Sequence, residues 1–215
     1  MVLLVSSANC QVAGFALLTI GWILCTTSMG LAEWRVWYMD KPLVFPSGLA
    51  CVGMWKVCIQ HHNRNFLTPT QCYHYSYCDN FLPLDIRITQ NLMLAASILG
   101  LLGKATIIFA LRNVYMGLPH KNAACHPFII SGILNVAASV CISIAVLWNY
   151  YSIMNEAGVA FPPSLHLPFK PDMQEVGSAI LMASLAAFLL LLSGLSFLSY
   201  KSPVVSQVHP VGSDI

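Results

Sequence analysis

Charged side chains are scarce in this sequence of 215 residues. Asp, Glu, Lys and Arg together make up 8% of the chain, whereas they make up about 25% of an ordinary soluble domain. So few charges cannot cover a water-facing surface of ordinary size, which excludes a conventional soluble domain. Because 57% of the residues are hydrophobic, we expect lipid to surround most of the chain.

Motifs for catalysis are also lacking. The sequence contains no H-E-x-x-H, G-x-S-x-G or P-loop pattern, the arrangements that hold a catalytic zinc ion, a serine nucleophile or a nucleotide phosphate. We therefore expect no enzymatic activity, no bound cofactor and no nucleic-acid partner. An N-x-[ST] acceptor for N-linked glycosylation is missing as well.

Four long apolar runs dominate the chain. A helix needs roughly 20 residues to cross about 30 Å of hydrocarbon, and each run approaches or exceeds that length. The first run has no basic segment before it and is too long for the apolar region of a signal peptide, so we expect it to be retained. The sequence predicts one four-span helical domain over residues 1–215, with spans at 10–31, 88–111, 127–148 and 176–200.

An even number of spans places both termini on one side of the membrane, and the cysteines indicate which side. Cys51, Cys58, Cys72 and Cys78 all lie in the long first loop, as an oxidising compartment permits. We therefore place the first and third loops outside the cell and both termini in the cytoplasm. The connecting segments are the first outer loop 32–87, the cytoplasmic loop 112–126, the second outer loop 149–175 and the cytoplasmic tail 201–215.

The first outer loop has the residues of a small β-sheet. Aromatic and β-branched side chains, bounded by turn residues, are typical of strands. A sheet this small has little core of its own, so it needs a covalent link and the membrane helices beneath it. The strand-like runs lie at 33–39, 43–45, 49–60 and 73–77.

A disulfide is the expected link. Cys58 and Cys72 are the first candidate pair, while Cys78 competes for Cys58, and sequence alone does not fix the pairing. Zinc ligation is the alternative for the same segment. The residues of ligand type there are Cys58, His61, His62, Cys72, His74 and Cys78. Only Cys58 and His61 approach the close spacing of a zinc pair, so we favour a disulfide with solvated histidines and with Cys51 free.

A set of motif residues follows a characteristic order around the two outer loops. Arg87 closes the first outer loop. In chain order the residues are Trp34, Gly53, Met54, Trp55, Arg87, Glu175 and Gly177. Cys58 and Cys72 follow Trp55. This order resembles the claudin family of four-span tight-junction proteins over nearly the whole chain, with Met54 in place of the family's leucine.

The resemblance implies a membrane α-helical fold: a four-helix bundle that carries an extracellular antiparallel β-sheet built from both outer loops. It implies a structural and adhesive protein of the plasma membrane. Such subunits polymerise into tight-junction strands that form a calcium-independent paracellular barrier, and they contact other claudins in cis and on the neighbouring cell. Trp34, Gly53, Met54, Trp55 and a Cys58–Cys72 bridge would anchor the sheet. A claudin-like auxiliary subunit of a channel or receptor is the alternative.

Residues that select ions in claudins lie near the two cysteines of the first outer loop. In this sequence the candidate filter residues are Lys56, His61, His62, Arg64 and His74, and no acid lies between Cys58 and Cys78. A pore that selects cations needs carboxylates. We therefore expect a paracellular barrier, and anion-leaning selectivity through these residues is the further hypothesis.

Contacts on the inner side of the membrane are also expected. Cys125 is a candidate for palmitoylation at the inner membrane edge. Membrane lipid surrounds the spans. Cytoplasmic PDZ scaffold proteins are candidate partners through Ser213, Asp214 and Ile215.

Overall fold

Four long α-helices form the membrane part of the protein. The computed structural model describes residues 2–39, 48–63, 66–67, 70–77, 79–115 and 121–199. Within this part of the chain the helices are α1 Val2–Gly30, α2 Leu84–Tyr115, α3 Lys121–Met154 and α4 Ser178–Leu198. Each contains a segment long and apolar enough to cross a membrane: Gln11–Gly30, Leu84–Asn113, His126–Met154 and Ser178–Leu198.

Helices α2 and α3 extend beyond the apolar runs on their outer sides. Helix α2 begins at Leu84 rather than 88, and α3 continues to Met154 rather than 148. The added turns carry polar side chains that find partners beneath the sheet, so the helix does not end where the apolar run ends. The tail residues 201–215, with the predicted PDZ-binding residues, lie outside the described residues.

Small residues and serine hydroxyls bring the helices together. Gly132 of α3 and Gly194 of α4 face each other at a close crossing. Where lipid offers no water, a hydroxyl that donates to a backbone carbonyl of another helix is a useful interhelical contact. Such bonds run from Ser131 Oγ to Gly103 O at 2.9 Å, from Ser139 Oγ to Ala187 O at 2.7 Å and from Ser193 Oγ to Gly14 O at 2.8 Å. They connect α2 to α3, α3 to α4 and α4 to α1.

An antiparallel sheet stands on the outer ends of the helices. Its strands within the described chain are β1 Arg35–Met39, β2 Gly48–Val52, β3 Lys56–Asn63, β4 Phe66–Leu67, β5 Gln71–His74 and β6 Met173–Val176. The order is β4-β3-β2-β1-β6, and β5 pairs with β3. Because β6 comes from the second outer loop and pairs with β1, the expectation of a sheet built from both outer loops is confirmed.

Two strand expectations are wrong. The run 73–77 is a strand only at its first two residues, because β5 is Gln71–His74. The run 49–60 is not a single strand but a hairpin, in which β2 and β3 pair in antiparallel register. Its turn begins at Gly53, whose Cα has no room for a side chain because the Cα of Ala32 would lie 2.7 Å from an added Cβ. The predicted strand 43–45 lies outside the described residues.

The two faces of the sheet differ in burial. Successive strand residues point to opposite faces, and one face carries the buried side chains Trp37, Ala50, Val52, Val57 and Ile59. This face is covered by residues of both outer loops and the start of α2, including Tyr75, Leu82, Ile86, Val159 and Leu167. The opposite face, here called the open face, carries Val36, Tyr38, Cys51, Lys56 and Cys58.

Gly177→Ala should destabilise the protein, because an added Cβ would overlap the backbone carbonyl of Glu33. Overpacking of this kind costs about 1–3 kcal/mol, and backbone cannot rotate away as a side chain does. We expect a lower midpoint in thermal unfolding of the full-length protein in detergent. Gly30→Ala is the control, since no described atom lies within 4 Å of its added methyl group. Equal midpoints for the two variants would contradict this packing.

Candidate functional site

A buried ion pair joins the sheet to the helices. The Arg35 side chain is 1% exposed, and its Nη2 donates to Asp85 Oδ2 at 2.5 Å and to Asn149 Oδ1 at 3.0 Å. Ser152 Oγ also donates to Asp85 Oδ2, at 2.5 Å. Three elements therefore meet at this guanidinium: strand β1, the first turn of α2 and the outer end of α3.

Further hydrogen bonds extend this junction into the bundle. Asn149 Nδ2 donates to Thr89 Oγ1 at 2.5 Å and to Ala145 O at 3.0 Å, and Thr89 Oγ1 donates to Asp85 O at 2.8 Å. The side chains of Arg35, Thr89, Asn149 and Ser152 are all buried. Burying an isolated charge is costly unless it is paired and hydrogen-bonded, and these contacts supply that pairing.

The Trp34 and Gly53-Met54-Trp55 residues lie where the sheet enters the bundle. Trp34 Nε1 donates to Ser28 O at 2.8 Å, and Trp34 and Met54 belong to the same apolar core as the four helices. Gln90 of α2 donates from Nε2 to Met54 O at 2.6 Å. The motif thus contacts α1 and α2 directly, a position that supports its predicted anchoring role.

Tyr75 holds the same turn from the other side. Its hydroxyl donates to Gly53 O, and its backbone N donates to Trp55 O at 3.1 Å. Burial raises the pKa of the Tyr75 hydroxyl far above its usual value, and the smaller effect of the Arg35 charge acts in the opposite direction. Tyr75 is therefore a neutral donor throughout the physiological range.

The other predicted motif residues make separate contacts. Arg87 donates from Nη2 to Asp79 O at 2.7 Å, so it connects the end of the first outer loop to α2. Glu175 of β6 accepts a hydrogen bond from Tyr38 Oη at 3.1 Å, and this bond raises the pKa of the Tyr38 hydroxyl. Gly177 precedes α4 and donates from its backbone N to Trp34 O at 3.2 Å.

The first candidate pair of cysteines is bonded. Cys58 of β3 and Cys72 of β5 form a disulfide, and they are direct register partners. Cys51 is a free thiol, and Cys78 lies outside the described residues. Because zinc binds thiolates, a bonded Cys58 and Cys72 are lost as ligands. The described residues contain no group of three or more His, Cys, Asp or Glu that could hold a metal ion.

The candidate filter residues are only partly brought together. Lys56 and His74 are register partners on β3 and β5, so their side chains share the open face, whereas His61 and His62 are placed only as backbone positions of β3. Arg64 lies outside the described residues. Glu175 of the edge strand β6 places a negative charge on the same face, where it accepts a hydrogen bond from Tyr38. The filter assignment stays a prediction.

Sequence reasoning missed the Arg35 junction. Its signal was a charged residue directly after Trp34 in an otherwise apolar strand, together with Asp85 at the start of an apolar span. In a chain with so few charges, such residues are expected to be paired.

Cys125 is part of helix α3, but its side chain is not among those that the structure describes. Its palmitoylation therefore also stays a prediction.

Comparison with known proteins gives a consistent family match. A family model described as PMP-22/EMP/MP20/Claudin tight junction matches residues 19–199. Claudin-18 of Rattus norvegicus is 28% identical over 142 residues, or 66% of this chain and 52% of that relative. Claudin-2 of Mus musculus is 24% identical over 201 residues, or 92% of this chain and 81% of that relative. The chain thus spans about half the length of the Claudin-18 relative and most of the Claudin-2 relative.

Asn149→Ala should lower the free energy of unfolding, because it removes an acceptor of the buried Arg35 guanidinium and a donor to Thr89. Hydrogen bonds to charged groups are worth about 1.5–3 kcal/mol. An SDS titration of the full-length protein in mixed micelles would measure the loss. Asn155→Ala is the matched control, since Asn155 is exposed and donates only to Tyr151 O. Similar losses for the two variants would argue against the junction.

Proposed function

The chain belongs to the PMP-22/EMP/MP20/claudin family, and we propose that it is a structural component of tight junctions. It is a multi-pass membrane protein with four apolar helices. The observation that supports the proposal most directly is the outer sheet, which joins both outer loops and is held to the bundle by the Arg35 junction and the Trp34 and Met54 contacts. A rigid outer module of this kind is suited to contact with other proteins rather than to catalysis.

We propose that subunits of this chain associate in cis and with subunits on the neighbouring cell. Among the described strands, β6 ends the sheet on one side, and an edge strand is a site for pairing with another chain. We also propose, on family membership, that these contacts are independent of calcium and that PDZ scaffold proteins bind Ser213, Asp214 and Ile215. The proposed cytoplasmic placement of both termini is supported by the disulfide in the first outer loop, since disulfides persist in oxidising compartments.

Expression of the full chain in fibroblasts that lack tight junctions should produce continuous strands in freeze-fracture images. A C-terminal tag, stained only after permeabilisation, would report expression and the proposed orientation. Surface biotinylation would confirm that the protein reaches the plasma membrane. Protein at the surface without strands would favour the auxiliary-subunit alternative, and staining of the tag in intact cells would overturn the orientation.

We further propose that the open face near the disulfide gives the paracellular path an anion-leaning selectivity. Lys56 and His74 lie side by side there, and rings of basic side chains favour anions. Charges act only over about 8 Å at physiological salt, so the effect requires a narrow path. Lys56 is half-buried on the sheet.

Lys56→Glu should shift the permeability ratio of epithelial layers towards sodium, because it reverses one fixed charge on the open face. Diffusion potentials under a sodium chloride gradient measure this ratio. Lys170→Glu is the control: Lys170 carries the same charge in the second outer loop, where it pairs with the exposed Glu156 at 2.8 Å. No response to Lys56→Glu, with intact strands, would leave the protein a pure barrier.

A further inference from the structure

Three cysteines lie in one row across three neighbouring strands. Cys51 of β2 is the direct register partner of Cys58 of β3, and Cys58 is the direct partner of Cys72 of β5. Directly opposed residues of an antiparallel pair point to the same face of the sheet. Cys51, Cys58 and Cys72, here called the sulfur row, therefore share the open face, with Cys58 in the middle.

The free thiol lies within bonding range of the existing disulfide. Gly53 N donates to Lys56 O at 2.9 Å, and hydrogen-bonded pairs recur at every second position of such a ladder. Cys51 and Cys58 are therefore a hydrogen-bonded pair, with Cα atoms about 5.5 Å apart. This separation falls inside the range of about 4.4–6.8 Å that disulfides require.

The order of the row also fixes the direction of attack. Thiol–disulfide exchange proceeds by attack of a thiolate on one disulfide sulfur, with departure of the other. Cys51 stands on one side of Cys58, and the leaving sulfur of Cys72 stands on the opposite side. Cys51 and Cys72 are two strand spacings apart, about 9.6 Å, so only the central sulfur of Cys58 is within reach of Cys51.

We propose that the sulfur row is an exchange site with two disulfide isomers, Cys58–Cys72 and Cys51–Cys58. The Cys51 thiolate attacks Cys58 Sγ, the Cys58–Cys72 bond breaks, and Cys72 leaves as a thiolate that takes up the proton lost from Cys51. One S–S bond forms and one breaks, so no outside oxidant is needed. The exchange converts a half-buried thiol into an exposed one.

The released Cys72 is placed to react with small disulfides. It lies on β5, whose four residues are all exposed, and its side chain shares the open face with Cys51 and Cys58. A low-molecular-weight disulfide such as oxidised glutathione would form a mixed disulfide with Cys72 and release one thiolate. Loss of the Cys58–Cys72 bond also frees edge strand β5 from its covalent link to β3.

The surroundings of Cys51 keep the exchange slow at neutral pH. Burial, and after it the Glu33 carboxylate, raise the pKa of the Cys51 thiol, and the thiolate is the attacking form. The exchange should therefore be faster at about pH 9 than at about pH 7. Among the described residues, the titratable or charged groups that share the open face with Cys51 are Tyr38, Lys56, His74 and Glu175, and Glu33 acts on its thiol from the segment before β1.

The test follows thiol exposure in the full-length protein in detergent, without added reductant. Samples held at about pH 9 are quenched with acid, alkylated with N-ethylmaleimide and mapped by non-reducing tryptic digestion. Lys56 and Arg64 separate the three cysteines onto three peptides, and fragment spectra distinguish Cys72 from Cys78. We expect alkylated Cys72 together with a Cys51–Cys58 linked peptide, and Cys51→Ser should reduce alkylation of Cys72 by about tenfold or more, as expected for loss of an intramolecular nucleophile.

Two further variants test the geometry even if the second isomer is scarce. In Cys72→Ser, oxidised glutathione should drive formation of a Cys51–Cys58 bridge, because the two remaining sulfurs are neighbours. In Cys58→Ser, the same treatment should leave Cys51 and Cys72 unlinked to each other, because they are two strands apart. A Cys51–Cys72 bridge in Cys58→Ser, separate thiols in Cys72→Ser, or equal alkylation of Cys72 with and without Cys51 would each overturn the proposal.

Discussion

The Arg35 guanidinium lies almost fully buried between the sheet and the outer ends of two membrane helices, bonded to Asp85 and Asn149. A buried charge that loses its partner destabilises a protein by about 3–5 kcal/mol, so this junction permits few alternative positions of the sheet. Strand β1, which carries Arg35, pairs with β2 on one side and β6 on the other. The position of β1 therefore determines where both outer loops lie relative to the membrane.

The junction and the different burial of the two sheet faces determine which surfaces of the outer sheet are accessible to other molecules. Apolar side chains such as Trp37 and Ile59 are covered by the chain's own loops, which leaves the open face and the strand edges for contact with other molecules. Trp34 and Met54 join the apolar core of the bundle, so the sheet and the helices behave as one folded unit.

Much of the fold could be predicted from the sequence, for identifiable reasons. The four spans follow from apolar runs long enough to cross a membrane, and β1 follows from alternating bulky residues that include Trp37. The hairpin within 49–60 was not predicted, because a lone glycine in a largely apolar run is a weak turn signal. The close approach of Ala32, which excludes a side chain at Gly53, is seen only in the fold. Strand β6 has no strong strand pattern of its own; it forms because β1 offers it a partner.

The polar part of the site was less predictable. Arg35, Asp85 and Asn149 lie far apart in the chain, and nothing local to any of them indicates the other two. The disulfide was easier to predict, because the first outer loop offers only four cysteines. That Cys51 lies beside Cys58 is shown only by the register of β2 and β3. Residues that meet through tertiary packing require the fold before they can be recognised as a group.

A double-mutant cycle on Arg35 and Asp85 would test the central role of the junction most directly. Arg35→Met and Asp85→Leu, alone and together, would be compared in unfolding titrations of the full-length protein. Each single variant should lose about 3 kcal/mol or more, and the double variant should lose clearly less than the sum, because neither charge is then left unpaired. Losses that simply add would contradict the account, since they would show that the two side chains stabilise the protein independently.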